Sequence, residues 1–196
     1  MKPVLEKAPK ASRNNRGSVP GFSRDDWRTP PPLFRAIQAH LGLFCIADMA
    51  ADRENALCPI WFGKDFDTLA QPAEDIAARI LKALPNPDPA HHALWCNPPY
   101  SAEGLEAWMR KGRHVSAVTR LPWVMLLPAS RTEQDFFYTC PPESYHLTYL
   151  KVRAAYVRPD GTKGKSPNHP SFVITFPGDN YRIAGGAFDH LAWKEA

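Results

Sequence analysis

Asn97-Pro98-Pro99-Tyr100 has the makings of a pocket for a flat nitrogen heterocycle bearing an exocyclic amine. The adjacent prolines stiffen the turn and fix the Pro98 carbonyl. Asn97 adds an amide oxygen beside that carbonyl, and Tyr100 adds a flat aromatic face. A ring amine is a poor nucleophile because its lone pair is delocalised. Acceptors that take its N–H protons favour a pyramidal nitrogen with the lone pair available, and the Asn97 side chain and Pro98 carbonyl are suited to that task. The plain alternative is a structural turn.

Such a turn needs a rigid mount, and the apolar run ALWC (93–96) reads as a buried strand leading straight into it. LFCIAD (43–48) is a second such run and ends in Asp48; WVMLLPA (123–129) is a third. Between them lie helical patterns. Leu33, Phe34, Ile37 and Leu41 follow a proline start and stop at Gly42; Ile76, Ile80, Leu81 and Leu84 mark 73–84; and 104–112 forms another. The stretch MAADRENAL after Asp48 reads as a turn entering a helix. Buried strands alternating with helices indicate a doubly wound α/β domain with a mostly parallel sheet. YHLTYLKV (145–152) and SFVITF (171–176), joined by a long basic loop, supply the antiparallel closing strand. In open sheets of this kind ligands bind beyond the carboxyl ends of the strands, where Asp48 and Asn97 both fall.

The domain is expected over residues 23–196, with 1–22 a basic, disordered tail poor in apolar residues. No run has the length of a membrane span, and the start lacks the apolar core of a secretory signal, so the expected location is the cytoplasm. Cys45, Cys58, Cys96 and Cys140 are widely spaced and read as reduced core thiols, with no metal implied. The formal charge of +4 conceals segregation: Arg110, Lys111, Arg113 and Arg120 form one basic segment, and Lys151, Arg153, Arg158, Lys163 and Lys165, against Asp160, form another. Basic segments on an acidic body can bind a polyanion by releasing its counterions; solvated loops are the alternative.

Several motifs in order resemble the phage-type Dam family of DNA N6-adenine methyltransferases, from about Asp26 to Phe176. They are Asp26-Trp27-Arg28-Thr29-Pro30, Asp48 with Ala50 and Ala51, Asn55, Asp67-Thr68-Leu69, and Asn97 to Tyr100. The resemblance implies a Rossmann-like S-adenosylmethionine-dependent methyltransferase fold acting on double-stranded DNA. Trp27, Thr29 and Pro30 would border the cofactor's methionine part, Asp48 and Ala50 would lie at the first strand end, and Asp67 would contact its adenine. Asn97, Pro98, Pro99 and Tyr100 would hold a flipped target adenine, with Tyr100 stacking on it. Arg153, Lys163, Lys165 and His169 are candidates for DNA contact. Structural alternatives stand beside these: Trp27 as core, Asp48 and Asp67 as caps, His169 as a structural histidine. DMAAD (48–52) lacks the glycines common at this turn, and Asp65 is the candidate ribose-binding acid. RNA bases, protein glutamine amides and a non-catalytic DNA-binding module are the rival readings.

If the basic loop touches DNA, Lys163→Ala combined with Lys165→Ala will weaken binding and flatten its dependence on salt. A salt titration of DNA affinity checks this; an unchanged slope would remove the loop from the interface.

Overall fold

A computed structural model of the chain describes residues 24–100, 104–129, 135–164, 170–180 and 182–192. Helix α1 (Pro31–Leu41) opens on prolines, whose missing N–H costs nothing in a first turn, and buries Leu33, Phe34 and Ile37. It ends at Gly42, whose φ of 65° is the left-handed conformation that glycine adopts without strain. Helix α2 (Ala73–Ala83) buries Ile76, Ala77 and Ile80. Leu81, assigned to the same face from its spacing, is instead 49% exposed. Helix α3 (Leu105–Thr119) continues beyond residue 112, because Val115 and Ser116 keep its buried stripe going.

Strands β1 (Phe44–Asp48), β2 (Ile60–Trp61), β3 (His92–Cys96), β4 (Trp123–Pro128), β5 (His146–Leu150), β6 (Ser171–Phe176) and β7 (Phe188–Leu191) form one sheet. Their order is β2-β1-β3-β4-β6-β5-β7. β1 is parallel to both β2 and β3, β3 to β4, and β7 to β5. Only β6 is reversed, antiparallel to β4 on one side and β5 on the other. The antiparallel closing strand anticipated from sequence is therefore internal to the sheet. The edge strand β7 was not anticipated: Phe188–Leu191 is short, carries Asp189 and His190, and buries only Leu191 fully.

Side chains alternate between two apolar layers, as a strand period of two requires. Trp123, Met125 and Leu127 of β4 join Ile76 and Ile80 of α2 and Leu105 and Met109 of α3 on one face. Val124 and Leu126 join Leu33, Phe34 and Ile37 of α1, with Tyr156, on the other. Both faces are thus covered, which accounts for the near-continuous apolar runs of β4 and β6. All four cysteines are free and buried.

The expected helix after β1 does not form: residues 49–59 are turns and irregular backbone. The Asp48 carboxyl group takes Ala50 N–H at 3.4 Å and Leu57 N–H at 3.1 Å, so the one turn that forms, in which the Asp52 carbonyl takes Asn55 and Ala56 N–H at 3.1 and 3.0 Å, is not extended. The segment also has no apolar stripe that would repay helix formation.

α3 and β4 meet at a site that tolerates no extra atom. A Cβ on Gly112 would lie 2.6 to 2.9 Å from the Trp123 indole ring, which is fully buried. Gly112→Ala should therefore lower stability by about 1–3 kcal/mol despite the better helix propensity of alanine, as read by urea denaturation. Equal or greater stability would mean that the indole can move aside.

Candidate active site

The sheet changes winding direction between β1, which leads outward to β2, and β3, which leads the other way to β4. Loops beyond the carboxyl ends of such a strand pair diverge and leave a crevice. A cavity of about 630 Å³ lies there, within the usual range for small-molecule sites. Of the residues singled out from sequence, Trp27, Thr29, Asp48, Ala50, Asp67, Asn97 and Pro99 line it. Pro30 does not: it is buried, and its carbonyl accepts the Phe34 N–H at 3.1 Å to start α1. Pro98 is buried and follows Asn97 directly, between two residues that do line the cavity.

The wall is strongly acidic, with Asp25, Asp26, Asp48, Asp52, Glu54 and Asp67 against Arg28 and Lys64. Asp52 and Glu54 were missed from sequence; their only signal was charge in the loop after β1. Asp65, the sequence candidate for a ribose-binding acid, is exposed and off the wall. Asp52 also shapes the backbone, accepting the Lys64 N–H at 3.0 Å; a Cβ on Gly63 would lie 2.4 Å from its carboxylate oxygen. Thr68 ties the following loop down by donating to the Met49 carbonyl at 2.7 Å. Asp67 holds φ at 44°, a left-handed conformation, between these anchors.

Two polar groups on the wall are held in unusual states. Burial pushes the Asp48 carboxyl up from 3.8 to about 6, although the Leu57 and Ala50 N–H groups oppose the shift. The Thr29 hydroxyl is buried without a hydrogen-bond partner among the described residues. An unsatisfied buried hydroxyl is costly, and a ligand with a polar group at that point would relieve the cost.

Asn97 is gripped at both ends of its amide. Its Nδ2 donates to the Trp27 carbonyl at 3.4 Å, and its Oδ1 accepts from the Tyr100 hydroxyl at 2.7 Å. Trp27 is itself held by the 154–164 segment: Arg28 and Val157 exchange N–H···O bonds of 2.8 and 2.9 Å, and Arg158 lies 5.9 Å above the Trp27 ring. A Cβ on Gly164 would fall 2.7 Å from that ring, so only glycine lets the two segments close. Tyr100 packs against both apolar layers and turns its hydroxyl inward, 3.2 Å from the Leu126 carbonyl and 3.1 Å from the Tyr156 hydroxyl. Burial keeps its phenol well above the ordinary range and hence protonated. Hydrogen bonding to Asn97 is thus a role that sequence did not suggest for Tyr100. The roles of Tyr156 and Ser171 were not read from sequence, since both residues are far from Asn97 in the chain.

The basic segments divide. Arg110 pairs with Glu106 at 2.8 Å, Lys111 donates to the Gln71 carbonyl at 2.6 Å, and Arg120 pairs with Asp179. Two of the four cations in 110–120, Arg110 and Arg120, are thus paired with acids at the surface, while Lys111 keeps its charge beside a neutral carbonyl. Arg153 and Lys163 are exposed and off the cavity wall. Lys165 and His169 lie outside the described residues.

Residues 16–180 match the family model described as DNA N-6-adenine-methyltransferase (Dam). The chain belongs to the Dam family. A search of the curated proteins found no match. Dam membership implies a DNA N6-adenine methyltransferase, with DNA as the substrate class and a methyl donor as the second requirement. Among the described residues no cluster of His, Cys, Asp or Glu is arranged to hold a metal ion, and no helix is long and apolar enough to cross a membrane.

The raised Asp48 value sets a pH dependence for this Dam-family site. Its contribution to stability is complete below the ordinary value of 3.8 and is lost as pH rises through about 6, where the buried carboxylate ionises. A cation bound beside Asp48 favours the ionised form, so affinity for a cationic ligand should rise about tenfold between pH 5 and pH 7. Calorimetric titration with S-adenosylmethionine across that range checks it. A flat profile, or one unchanged in Asp48→Asn, would separate Asp48 from the ligand's charge.

Proposed function

We propose that this chain transfers the methyl group of S-adenosylmethionine to the N6 amine of an adenine rotated out of double-stranded DNA, on a Rossmann-like methyltransferase scaffold. The observation that carries this reading is the Asn97 amide, held in one sense at the rim of an acidic cavity at the sheet's switch point. Tyr100 occupies one lone-pair direction of Oδ1, which leaves the other for an N–H of the target amine. With the Pro98 carbonyl as second acceptor, the amine nitrogen is drawn toward a pyramidal geometry.

The cavity suits the cofactor on three counts. Its volume is adequate, its excess of acids complements the sulfonium and ammonium charges, and the Thr29 hydroxyl awaits a polar partner. Thr29 and Asp48 would hold the methionine part, with Trp27 and Ala50 shaping that end and Pro30 acting only by starting α1 next to Thr29, and Asp67 would contact the adenine. When bound, S-adenosylmethionine supplies an electrophilic methyl group for in-line displacement. Asn97 and Pro98 orient the attacking nitrogen, Pro99 and Tyr100 stiffen the mount, and the buried walls exclude water. Catalysis then rests on orientation and electrostatics. A base inside a duplex cannot reach this depth, so the adenine must leave the stack. Arg153, Lys163, Lys165 and His169 are proposed to hold the DNA backbone.

Incubation with S-adenosylmethionine and unmethylated DNA, followed by nucleoside mass spectrometry, tests the reading. N6-methyladenine is expected from the native protein, with a loss of at least about a hundredfold in Asn97→Ala and no loss of fold. Cofactor binding without methylated DNA would redirect the search to RNA or protein acceptors; absence of cofactor binding would leave a DNA-binding module.

A further inference from the structure

The hydroxyl groups behind Asn97 form a chain whose direction follows from counting protons. Tyr100 has one hydroxyl proton and two neighbours that can only accept, Asn97 Oδ1 at 2.7 Å and the Leu126 carbonyl at 3.2 Å. That proton is committed to them, chiefly to the nearer Asn97. The Tyr156 hydroxyl, 3.1 Å away, must then donate to the Tyr100 oxygen. With the Tyr156 proton spent, Ser171 Oγ, also at 3.1 Å, donates to Tyr156. Hydrogen bonds therefore point in sequence from Ser171 on β6, through Tyr156 and Tyr100, to the amide oxygen of Asn97.

We infer that Tyr156 is a positioning residue: through Tyr100 it fixes the sense of the Asn97 amide and keeps Oδ1 turned toward the reacting amine. The inference rests on the reading of Asn97 as the amine acceptor. Tyr156 is 5% exposed, and its neighbour Val157 bonds Arg28 beside Trp27. One short segment thus holds both ends of the amide, Oδ1 through Tyr156 and Nδ2 through Trp27. Without the Tyr156 hydroxyl, the buried Tyr100 oxygen loses its donor, and its hydroxyl is left to divide its single proton between Asn97 Oδ1 and the Leu126 carbonyl with nothing to hold it toward the first.

The test is Tyr156→Phe, which removes one oxygen and leaves the ring. Two measurements are made: steady-state methylation of DNA, and the Asn97 side-chain amide signals in a ¹H–¹⁵N spectrum, assigned by their loss in Asn97→Asp. The expected result is a fall in kcat of about five- to tenfold with KM for DNA and cofactor affinity unchanged, a displaced Asn97 amide pair, and losses that do not multiply when Tyr156→Phe is combined with Tyr100→Phe. An unmoved amide pair overturns the inference whatever the activity, as does an unchanged kcat in an active enzyme or losses that multiply. A displaced amide pair in a native protein that methylates no DNA would support the relay and overturn the assigned reaction instead.

Discussion

One side-chain amide sets the geometry of this site. Asn97 has a donor end and an acceptor end, and the protein presents a carbonyl to the first and a hydroxyl to the second. The reversed orientation would set oxygen against the Trp27 carbonyl and N–H against the Tyr100 proton, so it is disfavoured at both ends. The same constraint accounts for asparagine here. An aspartate, which only accepts, would place an oxygen against the Trp27 carbonyl. Trp27, Tyr100, Tyr156 and Gly164 become intelligible as parts of one clamp, although they are scattered from residue 27 to residue 164.

That clamp depends on the sheet. β1 and β3 are neighbours whose connections depart in opposite directions, so Asp48 and Asn97 emerge on either side of one crevice. The absence of a helix after β1 matters as much. Residues 49–59 instead fold back over the strand end, tethered to the Asp48 carboxyl group, and bring Asp52 and Glu54 to the cavity. Burial raises the Asp48 carboxyl group to about 6, against the N–H bonds of this tether, which favour its ionised form.

Charge is partitioned by structure more than by sequence. The cavity gathers acids from residues 25 to 67, while Arg110 on α3 and Arg120 just beyond it pair with Glu106 and Asp179. An acidic cavity of this kind attracts a cationic small molecule, whereas the exposed Arg153 and Lys163 lie off its wall.

Much of this protein was legible in its residues. Apolar periodicity located α1, α2 and strands β1, β3, β4 and β6, because a buried face of fixed period leaves a one-dimensional trace. Asn97 to Tyr100 could be read as a candidate site because its functional groups sit in four adjacent residues. The misplaced helix after β1, the edge strand β7, and the roles of Asp52, Tyr156 and Ser171 left no such trace. Each depends on a partner distant in sequence or on hydrogen bonds that override local preference. Sequence by itself offered groups that could activate an amine; only the tertiary structure decided which way the Asn97 amide points, since the Trp27 carbonyl that takes its Nδ2 proton lies 70 residues away in the chain and meets it only on folding.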